Sequence, residues 1–542
     1  MSNEEIIKKK LVEAFACLDI ALKEEDIVIE RSKDAAHGDY ASNAAMKFSR
    51  LAGMAPRALA EKLLPQLADE SIEKIEIAGP GFLNFFMKQA SLASIIAKVI
   101  GEGENYGKCP SKGKKVNVEY VSANPTGDLH LGHTRCAAVG DSIANILSFA
   151  GYDVTREYYV NDCGNQVEHL GHSIRARYHE LFGEPLDLAD DDYHGEDLIQ
   201  IAKSIKEKYG DKYLKDSEES HDFFIRYGID TELGKIKKDL DAFRVRFDVF
   251  SYESDIRKGG KVEKTLEWLR EKGYVYVQDG ATFLKTTAFL DDKDRPIVKS
   301  DGAYTYFMPD ICYHYDKMSR GFDNLLDILG ADHHGYINRM KSALMMKGYS
   351  KDVLEAEFVQ VVRVYRDGVE VKMSKRTGKA IAHRDLVADV GVDAVRYFFV
   401  ERSQSSHLDF NYNLAMEQSS NNPVYYAQYA HARCASILSL ASDIDMDTSG
   451  SMLGSEPEKR LMKHIADFPV VVEAAAKSKE PSRIAGYIHS LAERFHEFYA
   501  ACRVIDRENI PLTSSRLALI KAVEITMRNA LNLLGVSAPE KM

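Results

Sequence analysis

Apolar and polar residues alternate in "KKVNVEYVS" (114–122), the pattern of a β-strand. In "TRCAAVGDSIANILSFAG" (134–151) the apolar residues recur at helical spacing until Gly151 ends the run. "YDVTREYYV" (152–160) returns to period two. Strand, glycine-containing loop, helix and strand in this order make a βαβ unit, which predicts an α/β fold with a Rossmann-like, doubly wound parallel sheet. Upstream, residues 1–108 read as a small α+β domain: a helix from Asn3 to Glu24, then "HGDYASNAAMKFSRLAG", then the alternating "IEKIEIAGPGFLNFFM". The glycine- and lysine-rich "GENYGKCPSKGKK" predicts a linker. Residues 109–385 form the expected α/β domain, with a charge-rich helical insertion at about 175–270. Beyond that insertion, "DGAYTYFMPDICYHYDK" and "FDNLLDILGADHHGY" are strand-like segments ending in polar groups. From 386 to 542 the period is helical almost throughout, which predicts an all-α C-terminal domain.

Composition narrows the function class. A chain of 542 residues exceeds one hydrophobic core and accommodates roughly three or four domains. No apolar run approaches the roughly 18 residues of a membrane span, and the acidic, amphipathic start does not resemble a secretory signal, so a cytoplasmic protein with no membrane role is expected. The seven cysteines are odd in number and never spaced Cys-x-x-Cys, so they signal neither a disulfide framework nor a zinc site, and no protein-bound metal is expected. A formal net charge of −12 argues against a sequence-blind nucleic-acid coater or a DNA partner, while leaving room for local basic patches on a structured RNA.

The chemistry starts at "VSANPTGDLHLGH" (121–133). In an open α/β sheet the first strand-to-helix turn faces phosphate, because the following helix offers unpaired N–H groups and the positive end of its dipole. His130 and His133 fall on that turn, where imidazoles can donate to triphosphate oxygens, and Gly132 lets a nucleotide approach the backbone. Such a histidine pair also serves simply to cap helices. A second element, "VKMSKRTGK" (371–379), puts Lys372, Lys375, Arg376 and Lys379 on a short segment closed by Gly378, which can bring cations onto a leaving pyrophosphate. Taken alone it is also the composition of a solvated surface turn.

Together, His-Leu-Gly-His and, about 240 residues later, Lys-Met-Ser-Lys-Arg resemble the paired signatures of class I aminoacyl-tRNA synthetases. The flanks "VEYVSANPTGDLHLGH", "YYVNDCGNQ", "DGAYTYFMPDICYH", "GADHHGY" and "NNPVYYAQYAHAR" resemble the bacterial-type arginyl-tRNA synthetase family over nearly the whole chain, down to the closing "LGVSAPEKM". The resemblance implies ATP, with Mg²⁺ riding on it, L-arginine and tRNA(Arg) as partners. His130, His133, Lys372 and Lys375 are the implied catalytic residues; Gly132, Asp332, His333, Met373 and Ser374 join them in binding ATP. Glu119, Ser122, Asn124, Tyr306 and Asp310 are implied to bind arginine, whose planar guanidinium demands carboxylates and phenol or amide acceptors in fixed geometry. Asn84, Arg396, Asn421, Tyr425 and Tyr429 are the implied tRNA contacts, most of them within a stretch that mixes aromatics, amides and a cation. Arginine activation is expected to require bound tRNA.

Two other function classes fit parts of the pattern. A pantothenate-type ligase of the same superfamily would lack the long helical C-terminal domain, and an inactive RNA-binding relative would be expected to have lost a histidine or the lysine segment. No sequence feature marks an oligomer interface, so a monomer is expected.

Overall fold

The computed structural model describes residues 3–31, 37–331, 335–371 and 381–542. At the N-terminus, helix Asn3–Ala16 packs on an antiparallel sheet of β1 (Ile29–Arg31), β2 (Tyr40–Ser42), β3 (Ile72–Ala78) and β4 (Phe82–Met87), in the order β1-β2-β4-β3. The helix is shorter than its sequence pattern predicts: it ends at Ala16, and Asp19 in the following turn takes a positive φ of 57°. The segment predicted as a linker is anchored. Tyr106 is fully buried and donates to the carbonyl of Ile465, while Asn529 donates to the carbonyls of Gly103 and Tyr106.

The centre is a five-stranded, wholly parallel sheet of β5 (Lys115–Glu119), β6 (Asp153–Val160), β7 (Val249–Tyr252), β11 (Asn324–Gly330) and β12 (Leu354–Val359), ordered β12-β11-β5-β6-β7. Between β7 and β11 lies a small antiparallel sheet of β8 (Val275–Gln278), β9 (Ala281–Leu284) and β10 (Arg295–Val298). The chain runs from β5 outward to β7 on one side and returns to the other side at β11, so the strand order reverses between β5 and β11. Helix Leu131–Phe149 follows β5 and is buried on all faces from Thr134 to Ile143, as befits a helix enclosed between the sheet and the C-terminal helices. Gly140 permits that approach: a Cβ there would lie 2.4 Å from the ring of Tyr120.

Two expectations are corrected. The insertion is not purely helical, because β7 lies within 175–270 and forms the edge of the central sheet; helices Asn165–Glu180, Glu196–Tyr209 and Glu218–Ala242 precede it. The segment 301–317 is not a strand: Phe307–Ser319 is a helix with nine buried residues, whose run of apolar and aromatic side chains reads equally well at either period. A fourth sheet of β13 (Val362–Arg366), β14 (Val369–Glu370) and β15 (Leu408–Asn411) lies between the central α/β part and the C-terminal helices, the longest of which are Pro423–Leu440, Ser482–Ala501 and Ile510–Leu533.

Candidate active site

A cleft of roughly 780 Å³ opens beyond the carboxyl ends of β5, β11 and β12, where the strand order reverses. In open parallel sheets this is where ligands bind, because the adjacent loops diverge and leave a crevice. Its walls are Glu119, Val121–Asn124, His130–His133, Cys136, residues 328–331, residues 359–362 and Ile381.

The two histidines are organised by the backbone. His130 is the N-cap of the buried helix, and its Nδ1 accepts from the N–H groups of Gly132 (3.1 Å) and His133 (3.4 Å). His133 returns the interaction, its Nδ1 accepting from the His130 N–H at 3.4 Å. With both Nδ1 atoms acting as acceptors, each neutral ring carries its proton on Nε2, and the rings stack 3.6 Å apart. Burial lowers the pKa of both, with that of His133 brought down to about 4 by burial and by the neighbouring His130 and His383. The turn thus presents two neutral N–H donors beside helix N–H groups. Gly132 is required by this packing, since a Cβ there would stand 2.9 Å from His130 Cε1.

The backbone entering the turn is strained. Val121 and Ser122 take φ of 68° and 39°, the first of which a β-branched residue rarely adopts; such conformations cost of order 1–3 kcal/mol each and persist only where the surroundings hold them. Here Ser122 Oγ accepts from the Tyr159 N–H at 3.1 Å and donates to Glu119 Oε1 at 3.0 Å.

Behind this turn lies a buried charge network. Helix Phe307–Ser319 presents Asp310, Tyr313, His314 and Lys317 on one face, at helical spacing. Lys317, fully buried, contacts Glu119 at 2.5 Å and Asp327 at 3.1 Å. His314 lies between Asp310 (3.0 Å) and Asp327 (3.1 Å). Tyr313 donates to Glu119 and Glu157, and Arg320 donates to both oxygens of Glu157. Burial raises the pKa of Glu119 against the pull of Lys317. Tyr159 is pushed up first by burial and then by the charges of Glu253, Asp310 and Glu119.

The described residues on either side of the lysine-rich segment are tied down, one to β13 and the other to this turn. Val371 donates to the carbonyl of Val364, while His383 donates its N–H to the Leu129 carbonyl and its Nδ1 lies 3.0 Å from Thr134 Oγ1. Lys372, Met373, Ser374 and Lys375, like Asp332 and His333, lie outside the described residues.

Residues 95–436 match the family model "tRNA synthetases class I (R), catalytic domain", residues 2–87 "Arginyl tRNA synthetase N terminal domain", and residues 427–542 "DALR anticodon binding domain". The arginine–tRNA ligase of Geobacillus kaustophilus is 50% identical over 550 residues, covering 99% of each chain. The chain belongs to the class I arginyl-tRNA synthetase family. The arginine–tRNA ligase of Bacillus subtilis is 51% identical over 97% of each chain. The fold is also that of the Thermus thermophilus arginyl-tRNA synthetase structure, with a TM-score of 0.77 at 21% identity over 100% of both chains.

Set in the synthetase fold, the residues singled out from the sequence separate into groups. Glu119, Ser122, Asn124, His130, Gly132 and His133 line one cleft. Asp310 and Tyr306 do not line that cleft: Asp310 stands one helical turn from Tyr313, which touches Glu119, and Tyr306 is 74% exposed at the start of the same helix. Among the tRNA candidates, Asn421 and Tyr429 are exposed, and Tyr425 is half-buried and stacked parallel to Tyr429.

Two of the expected RNA contacts are corrected. Arg396 is fully buried, paired with Asp141 at 2.5 Å and bonded to the carbonyls of Leu534 and Phe243, so its charge is spent inside the protein. Asn84 is covered on β4, between β2 and β3, and does not reach the cleft. Gln428 and His431, from the same aromatic stretch, are also buried and bind Asp393 and the Pro539 carbonyl. Sequence reasoning missed Tyr313, His314, Lys317, Glu157 and Asp327. Reading 301–317 as a strand hid the helical spacing that brings the first three onto one face.

Proposed function

We infer that this chain is an arginine–tRNA ligase: it activates L-arginine with ATP to arginyl-adenylate, releases pyrophosphate, and transfers the arginyl group to the 3′-terminal adenosine of tRNA(Arg), releasing AMP. The observation that carries this reading is the cleft at the strand-order reversal, lined by the histidine turn and by Glu119, which the charge network backs.

In the first step the arginine carboxylate attacks the α-phosphorus of ATP and the bond from that phosphorus to the leaving pyrophosphate breaks. His130 and His133 donate from Nε2 to phosphate oxygens as charge moves to the leaving group, supported by the N-terminus of helix Leu131–Phe149. Lys372 and Lys375 supply cations to the same pyrophosphate, Mg²⁺ arrives with ATP, and Gly132, Asp332, His333, Met373 and Ser374 bind the nucleotide. Glu119, Ser122 and Asn124 of the cleft, together with Asp310 and Tyr306, hold the arginine. In the second step a ribose hydroxyl of the tRNA attacks the adenylate carbonyl and AMP leaves. Alignment of bound reactants provides much of the rate, and no side chain forms a covalent intermediate. Asn421, Tyr425 and Tyr429 are the RNA-facing residues, the enzyme works as a cytoplasmic monomer, and activation depends on bound tRNA.

ATP–pyrophosphate exchange across the amino acids, with and without tRNA, tests the assignment. Exchange with arginine alone, and only with tRNA present, is the expected result. Exchange with a different amino acid refutes the specificity, and none with a folded protein points to an inactive RNA-binding relative.

A further inference from the structure

Glu119 ends β5 and lines the cleft, yet two of the three groups that hold its carboxylate do not line it. Its Oε2 lies 2.5 Å from Lys317 Nζ and 2.8 Å from the Tyr313 hydroxyl, while its Oε1 accepts from Ser122 Oγ at 3.0 Å. Tyr313 and Lys317 are 2% and 0% exposed on helix Phe307–Ser319, with the ammonium 4.5 Å from the centre of the Tyr313 ring.

Tyr313 has one proton and two carboxylates within reach, the other being Glu157 Oε1 at 3.0 Å. Glu157 is already supplied, because Ser251, Arg320 and Asn117 donate to it. The phenolic proton therefore goes to Glu119, the shorter contact. A carboxylate oxygen has room for about two donors. With Tyr313 and Lys317 on it, Oε2 is full; Oε1 takes one donor among the described residues and keeps one position for a ligand N–H.

We propose that Tyr313 is a positioning residue for the substrate arginine: its hydroxyl, beside Lys317, fixes Oε2 of Glu119 so that Oε1 is the oxygen that meets the guanidinium. The inference rests on the reading of Glu119 as an arginine ligand. Tyr313 is anchored without any substrate, since its ring packs 4.6 Å from that of Tyr159 and the neighbouring Lys317 is held 3.1 Å from Asp327 on β11. A planar guanidinium rewards an acceptor only in the right place, so a carboxylate that has lost one of its two donors on Oε2 binds it less well.

The test is a double-mutant cycle on the KM for arginine in aminoacylation, with wild type, Y313F, E119Q and Y313F/E119Q. Phenylalanine keeps the ring and its packing and removes only the hydroxyl, so the melting temperature is expected to stay close to that of wild type. Y313F is expected to raise the KM for arginine about fivefold and to leave the KM for ATP within about twofold. Because Tyr313 acts through Glu119, its effect is expected to shrink below about twofold in the E119Q background. If E119Q charges too slowly for a KM, the arginine concentration that half-saturates the rise in melting temperature replaces it in all four proteins. An unchanged arginine KM in Y313F, an equal rise for arginine and ATP, or a fold-change undiminished beside E119Q overturns the proposal. An E119Q protein that binds arginine as wild type does would instead overturn the reading of Glu119 as a ligand, and that result is visible before the double variant is made.

Discussion

His133 shows how a single residue ties the chemistry to stability. Its ring is neutral because burial and two neighbouring histidines hold its pKa at about 4, below the unfolded value of 6.5. Between those values the unfolded chain binds the proton that the folded chain refuses, so the folded state loses stability as pH falls through that window and recovers it fully above about pH 6.5. Replacing His133 with Gln is therefore expected to flatten part of the acid-side loss; urea titrations at about pH 7 and about pH 5 would show a smaller drop in midpoint than wild type. An equal drop would mean that the histidine turn is already protonated in the folded protein. The strained Val121–Ser122 pair belongs to the same scale: nothing in "YVSAN" announces a left-handed backbone, which tertiary contacts such as those of Ser122 with Tyr159 and Glu119 hold in place.

At the scale of elements, the cleft is held open by side chains that never enter it. Arg135, near the start of the helix that His130 caps, is fully buried and donates to the carbonyls of Gln360 (2.8 Å), Ser406 (2.8 Å) and Ser403 (3.1 Å). It binds the end of β12, where Val359 and Val361 line the cleft, to the loop ahead of β15. Lysine keeps the charge but cannot span three carbonyls with a planar fork. Arg135→Lys is expected to cost about 2 kcal/mol by denaturant titration and to raise the KM for ATP several-fold, with little change in the KM for arginine. A KM effect on arginine alone would separate Arg135 from this wall. The strand-to-helix turn and its histidines were legible in the sequence because their signals are local. The face formed by Asp310, Tyr313, His314 and Lys317 was not, since aromatic and apolar side chains at 301–317 satisfy a strand period as well as a helical one.

Across the whole molecule, the C-terminal tail is bound to the catalytic part. Arg396 joins Asp141, on the helix that begins at the histidine turn, to the carbonyls of Leu534 and Phe243; Asp393 beside it takes hydrogen bonds from Gln428 and Ser537. Arg396→Ala leaves Asp141 buried without its partner and is expected to destabilise the protein by roughly 3–5 kcal/mol. Tyr429, 38% exposed and stacked on Tyr425, should behave in the opposite way: Tyr429→Ala is expected to raise the KM for tRNA while leaving the melting temperature nearly unchanged. Thermal melts and aminoacylation kinetics on the two variants distinguish a junction residue from an RNA contact, and a raised tRNA KM in an undestabilised Arg396→Ala would reverse that assignment.

By itself the sequence determined the order of strand, turn and helix, the placing of His130, Gly132 and His133 on a phosphate-facing turn, and the helical C-terminal part. Period, glycines and caps are properties of a few neighbouring residues, so they can be read without the fold. Tertiary structure alone decided that Arg396 is a buried tie instead of an RNA contact, that β7 completes the sheet from within the charge-rich segment, and that His314 and Lys317 are paired with acids. Burial and charge pairing join residues distant in the chain, 255 positions apart for Asp141 and Arg396, and no local pattern encodes which partner a charge will meet.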